Sequence, residues 1–140
     1  MDLLLQLKLP AILKNLTQFM ESVSNCAREQ GFDPKKVTQI ELVMEEALVN
    51  VINYAYPDKD GDAQVICSLD EENRFVIEIT DWGEPFNVLS LDEPDITSDV
   101  LDRKVGGLGV FMIRSLMDDV KYRFEEDKNI LILFVNKQNS

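Results

Sequence analysis

Three groups of residues in this sequence have types and spacings that could do chemistry. In ELVMEEALVNVINYAY, residues 41–56, Glu46, Asn50 and Asn53 recur at i, i+4 and i+7, a spacing that stacks them on one face of a helix. Their flanks hold Leu42, Val43 and Val49, where a solvated face would carry Lys, Glu or Gln. That border predicts a pocket wall. A carboxylate there can orient a nucleophile, and an amide oxygen one turn on can complete the shell of a Mg²⁺ held mainly by phosphates and waters. A plain polar stripe would have the same spacing. Asp81 ends an apolar strand with Gly83 two residues on, placing a carboxylate acceptor, able to take the exocyclic amine of adenine, where the backbone can approach a flat ligand. A strand-ending turn is the simpler alternative for the same two residues. Gly106-Gly107-Leu108-Gly109 opens a helix and offers backbone N–H groups and a positive dipole end to phosphate, or else serves as a lid hinge. No Lys-Ser or Lys-Thr follows these glycines, so they do not form a Walker A loop.

The elements that must position these groups follow from periodicity. Leu5, Leu7 and Leu9 alternate with polar residues as a strand that Pro10 ends. From Ala11, the residues Ile12, Leu16, Phe19, Met20, Val23 and Ala27 predict a helix, with Gly31 as its stop. Asp33-Pro34 starts the next helix as N-cap and N1. That helix carries residues 41–56 and packs through Ile40, Met44, Ala47, Leu48, Val51 and Ala55. Residues 62–80 read as a hairpin turning at 70–73. A helix follows GGLGV, then strands near 120–124 and 130–135. Residues 87–106 show little periodicity, and so long a loop inside a compact domain is usually a lid or binding loop. The order β, α, α, β, β, lid, α, β, β predicts an α+β two-layer sandwich, with helices on one face of a mixed, mainly antiparallel sheet.

Composition narrows the function classes. A chain of 140 residues with 45% apolar and 29% charged residues is expected to fold as one soluble domain over residues 1–140. Its first apolar run, Leu3 to Leu5, is too short for a signal peptide or membrane span. The expected compartment is the cytoplasm. With no histidine and two cysteines 41 positions apart, the usual zinc sites and His-based triads are excluded. Cys26 and Cys67 fall on apolar faces and read as reduced core residues. A net charge of −12 argues against broad nucleic-acid binding. It suits a basic protein partner, or plain solubility.

Set in order, EALVN at 46–50, DWGEP at 81–85 and GGLGVFMIRSLMD at 106–118 resemble the N, G1 and G2 boxes of the Bergerat-fold ATPases, the superfamily of gyrase B, MutL and the histidine kinases. The initial strand and helix, NVINYAYP and the GGLGVFMIRSLMD run most resemble the anti-sigma-factor serine kinases of the RsbW and SpoIIAB type, over nearly the whole chain. The resemblance implies a histidine-kinase-like ATPase domain with a lid at about 87–106 and with ATP and Mg²⁺ as cofactors. It makes Glu46 the catalytic base, Asn50 the Mg²⁺ ligand and Asp81 the adenine contact. Gly83 would allow close approach to the base, Gly106, Gly107, Leu108 and Gly109 would border the phosphates, and Asn53 would be a further pocket residue. The implied reaction moves the γ-phosphate of ATP to a serine or threonine of a small STAS-type anti-anti-sigma protein, while a dimer of the kinase sequesters a sigma factor. An ATP-binding switch with little phosphotransfer is the alternative; Glu46 favours the enzyme, because a pure binder has no use for a base. A detached histidine-kinase catalytic domain fits the N-terminal strand and helix less well. Tyr54 stands where the family often has a histidine, so that contact has no counterpart here.

Overall fold

In the computed structural model, which describes residues 2–87, 89 and 107–137, the alternating segments become β1 (Asp2–Pro10), β2 (Asp62–Leu69), β3 (Phe75–Asp81), β4 (Asp119–Glu125) and β5 (Lys128–Val135). The helices are α1 (Leu16–Glu29), α2 (Pro34–Tyr54) and α3 (Gly107–Leu116). The sheet runs β1-β2-β3-β5-β4, and each of its four pairings is antiparallel. The lid expected at 87–106 lies outside the described residues, Asn87 and Leu89 excepted, and so does Gly106. Gly107 and Leu108 form the start of α3.

Helix α2 begins as the sequence predicts. The Asp33 carboxylate accepts from the Lys36 N–H at 2.8 Å, and Pro34 gives up no hydrogen bond at N1. Helix α1 begins later than its periodicity suggested. The Ala11 N–H donates to Gly61 O at 2.8 Å, keeping the chain tied to β2. Asn15 Nδ2 then closes back on Pro10 O at 2.9 Å around a 3-10 turn, Leu13–Asn15. Ile12 is therefore extended and 43% exposed, outside the helix and its core stripe. Gly31, at φ 91°, provides the expected left-handed stop.

The core lies between the helices and one face of the sheet. Phe19 and Val23 of α1, Ile40, Met44 and Leu48 of α2 and Ile113 of α3 meet Val65, Ile77 and Leu133. Cys26 and Cys67 are buried there as free thiols. The hydrogen bond with Cys26, and then burial, hold the Cys67 thiol far above its ordinary value, so it stays protonated. On the other face, Val76, Ile130, Ile132 and Phe134 form a second apolar cluster. Arg74 and Lys121 sit 4.4 and 5.4 Å from the centre of the Phe134 ring, so their stems and cation–π contacts cover a face that carries no helix among the described residues. Among the described residues, no helix is long and apolar enough to cross a membrane.

Candidate functional site

The register of β3 against β5 builds the site. Asp81 pairs with Asn129 and Ile79 with Leu131, while β4 brings Tyr122 opposite Leu131. Period-two alternation turns all of these side chains toward the helical layer. The part of α2 above them is lined by small residues, Ala47, Val51 and Ala55, with Asn50 beside them. Small side chains over the end of a sheet leave space. The result is a cleft of about 450 Å³, its open mouth included, closed on the third side by Glu84 and Phe86.

The polar stripe of α2 therefore divides. Asn50 is 6% exposed, lines the cleft, and its Nδ2 has no hydrogen-bond partner among the described residues. Asn53 is exposed and is not part of the cleft lining. At roughly 100° per residue, Asn50 lies only about 60° from Ala47, whereas Asn53 lies about 120° away. The stripe is a border, and only one edge of it turns inward. Val51 and Ala55, expected as core, are packed against it and buried respectively, and they line the cleft as well. Glu46 is partly buried and packs against the first turn of α3, where a Cβ on Gly109 would fall 1.9 Å from Glu46 Oε1.

Asp81 is 6% exposed. Its Oδ1 accepts from the Gly83 N–H and from Asn129 Nδ2, both at 2.9 Å. The same oxygen takes both donors, so Oδ2 is left for a donor within the cleft. No Lys or Arg among the described residues pairs with this carboxylate. Burial raises its pKa, against the lowering by Asn129 and Gly83.

Gly83 makes a close approach, and its neighbour is protein. An added Cβ would lie 2.1 Å from Ala55 O, and the Glu84 N–H donates to that carbonyl at 3.2 Å. The glycine lets the segment after β3 dock on the end of α2. Gly83→Ala must push one backbone off another, and we expect it to cost about 1–3 kcal/mol, read as a lower midpoint in urea unfolding. Tyr56 ties the same segment down from beneath, accepting from the Trp82 N–H at 2.8 Å and donating to Asp62 O at 2.6 Å.

Asn129, Tyr122 and Phe86 escaped the sequence reading. Asn129 Nδ2 also donates to Glu84 O at 2.8 Å, and its Oδ1 accepts from the Phe86 N–H at 2.9 Å and from the Tyr122 hydroxyl. The available signal was a lone amide on a strand face otherwise made of Leu131, Leu133 and Val135. The Phe86 ring stacks with Tyr54, centres 6.1 Å apart and 28° from parallel, at the cleft's outer edge.

An apolar slot with one buried carboxylate acceptor suits a flat heteroaromatic ring that bears an amine. An unpartnered amide and a carboxylate beside a helix N-terminus suit the polar remainder of such a ligand. The sequence profile of the histidine kinase-like ATPase domain matches residues 9–135. The chain belongs to that family. Relatives include the serine-protein kinase RsbW of Listeria monocytogenes serotype 4a (strain HCC23), 25% identical over 137 residues that cover 94% of this chain and 87% of that one. The protein of the same name from Bacillus thuringiensis (strain Al Hakam) is 26% identical over 132 residues, covering 91% and 82%. Among solved structures, the RsbU and RsbW domains of a Mycobacterium tuberculosis protein superpose with a TM-score of 0.65 at 13% identity, over 94% of this chain and 32% of that one. The histidine kinase domain of the Erythrobacter litoralis blue-light activated kinase gives 0.55 at 14% identity, over 86% and 60%. These two likenesses concern the fold.

Proposed function

We propose that the chain is a cytoplasmic Mg-ATP-dependent protein serine/threonine kinase that regulates a sigma factor by phosphorylating a small anti-anti-sigma protein. The observation that carries the reading is a cleft lined by the buried Asp81 carboxylate and by Asn50, whose Nδ2 has no partner among the described residues, with Glu46 one turn before Asn50 on α2 and set against the first turn of α3. The names of the relatives support the kinase part, and the resemblance of the three motifs supports the choice of partner.

On this reading adenine enters the slot between α2 and β3–β5, and Asp81 accepts from its exocyclic amine. Asn50 would hold a Mg²⁺ through its side-chain oxygen, with phosphates and waters completing the shell, while its Nδ2, a donor with no partner among the described residues, would face a phosphate or water oxygen. The ion, when bound, neutralises phosphate charge. Glu46 accepts the proton of the attacking hydroxyl, and the hydroxyl oxygen takes the γ-phosphoryl group as the bond to the β-phosphate oxygen breaks and ADP leaves. Gly107, Leu108 and Gly109 at the start of α3 border the phosphates through backbone N–H groups.

The test is direct. Calorimetry should detect ATP binding, and γ-labelled ATP should label a serine or threonine of the small protein that co-purifies with this chain. Chelation of Mg²⁺ should stop the transfer. ATP bound without label on any partner would favour the switch reading over the enzyme.

A further inference from the structure

We propose that Asn129 is a positioning and specificity residue: it locks the Asp81 carboxylate in the one orientation that distinguishes a purine bearing a 6-amine from one bearing a 6-carbonyl. This rests on the nucleotide reading above and adds a residue that none of the three motifs contains.

The amide is held in a single sense. Its Nδ2 faces two acceptors, Asp81 Oδ1 at 2.9 Å and Glu84 O at 2.8 Å. Its Oδ1 faces two donors, the Phe86 N–H at 2.9 Å and the Tyr122 hydroxyl. An amide has two N–H donors and two lone pairs, and here all four are used. Flipping it would set donor against donor and acceptor against acceptor at each contact. At 5% exposure no water is at hand to repair such a mismatch. Burial also raises the Tyr122 hydroxyl above its ordinary value, so it remains a donor at neutral pH.

The orientation passes to Asp81. A carboxylate is symmetric and free to turn about its last torsion, which is a broad one. Two donors on Oδ1, Asn129 Nδ2 and the Gly83 N–H, remove that freedom and leave Oδ2 as a fixed acceptor. A 6-amine meets an acceptor. A 6-carbonyl meets a second oxygen, and the site's buried acceptor is left unpaired, which is how polar pockets reject close analogues. Asn129 itself lines the cleft, but with all four of its hydrogen-bonding positions committed to protein it acts on the ligand's polar edge through Asp81 and through the Glu84–Phe86 segment whose ends it holds.

The experiment compares ATP with inosine triphosphate, which has a carbonyl in place of the amine. The parent should prefer ATP by about a hundredfold in Kd. Asn129→Ala, and the isosteric Asn129→Asp, which keeps both acceptor bonds, should shrink that preference about tenfold or more. Loss of folded protein would weaken both nucleotides equally and leave the ratio untouched. A folded variant of either kind that holds the parent's ratio overturns the proposal, as does a parent that binds ATP without preferring it. If the parent binds neither nucleotide, the ATP reading fails, and the hold on Asp81 is tested without ligand. Carbon-13 NMR should then find Asp81 protonating at higher pH in Asn129→Ala than in the parent, and an unchanged titration overturns it.

Discussion

Asp81→Asn should lose ATP affinity by about a hundredfold in calorimetry and at the same time raise the melting temperature at neutral pH. The loss follows from which way the new amide must point. The Gly83 N–H is a backbone donor and cannot turn, and Asn129 presents Nδ2 to the same spot because Glu84 O, the Phe86 N–H and the Tyr122 hydroxyl fix its other contacts. The oxygen of the substituted side chain therefore takes the place of Oδ1, and its NH₂ faces the cleft. A donor then opposes the 6-amine of adenine. Losing the bond and leaving a buried donor unsatisfied costs about 3 kcal/mol. The same inversion offers a donor to a 6-carbonyl, so inosine triphosphate should overtake ATP. Unchanged ATP binding would remove Asp81 from the site.

The gain in stability has the opposite origin. Burial raises the Asp81 pKa in the folded protein. A carboxyl with a raised folded-state pKa contributes stability that is fully present below its unfolded value, about 3.9, and is lost as pH rises through the folded value. At neutral pH the charged, buried Asp81 is thus a cost, and Asn mimics the protonated form. The melting difference between variant and parent should be positive at pH 7 and should shrink as the pH falls toward 4. A variant less stable than its parent at pH 7 would contradict the burial argument.

What the sequence disclosed here is what local physics encodes. The Asp33-Pro34 start, the Gly31 stop and the alternation of Phe75, Ile77 and Ile79 depend on residues within a turn of each other, and each is found where periodicity predicted it. The order of elements alone led to an α+β sandwich. The late start of α1 was hidden because it depends on Gly61, which accepts from the Ala11 N–H across 50 positions of sequence. The same limit hid Asn129. Its bond to Asp81 spans 48 positions, and nothing in KNILILFV says which strand that amide will face until β5 is known to lie beside β3. Wheel geometry grouped Glu46, Asn50 and Asn53 correctly as neighbours. It does not say which edge of a stripe the sheet will meet, and the contacts of Ala47 and Asn50 decide that in favour of Asn50 over Asn53.

Glu46→Gln should lower phosphotransfer by about 10²- to 10⁴-fold, the range expected for a general base, while ATP binds within a few-fold of the parent. Gly109→Ala offers an independent way to the same end. Its Cβ would fall 1.9, 2.2 and 2.4 Å from Oε1, Cδ and Cγ of Glu46, atoms at the free end of a flexible chain that no hydrogen bond or ion pair holds among the described residues. The carboxylate must leave its place against α3. It can do so at little energetic cost, and alanine in place of a helical glycine returns up to about 1 kcal/mol. Gly109→Ala should therefore melt within a few degrees of the parent yet transfer phosphate as poorly as Glu46→Gln. Gly83→Ala, whose neighbour is the Ala55 backbone, should instead lose stability, because no side chain can swing aside for it. If Gly109→Ala phosphorylates the partner protein at the parent's rate, the carboxylate has no required position beside α3, and Glu46 is not the base.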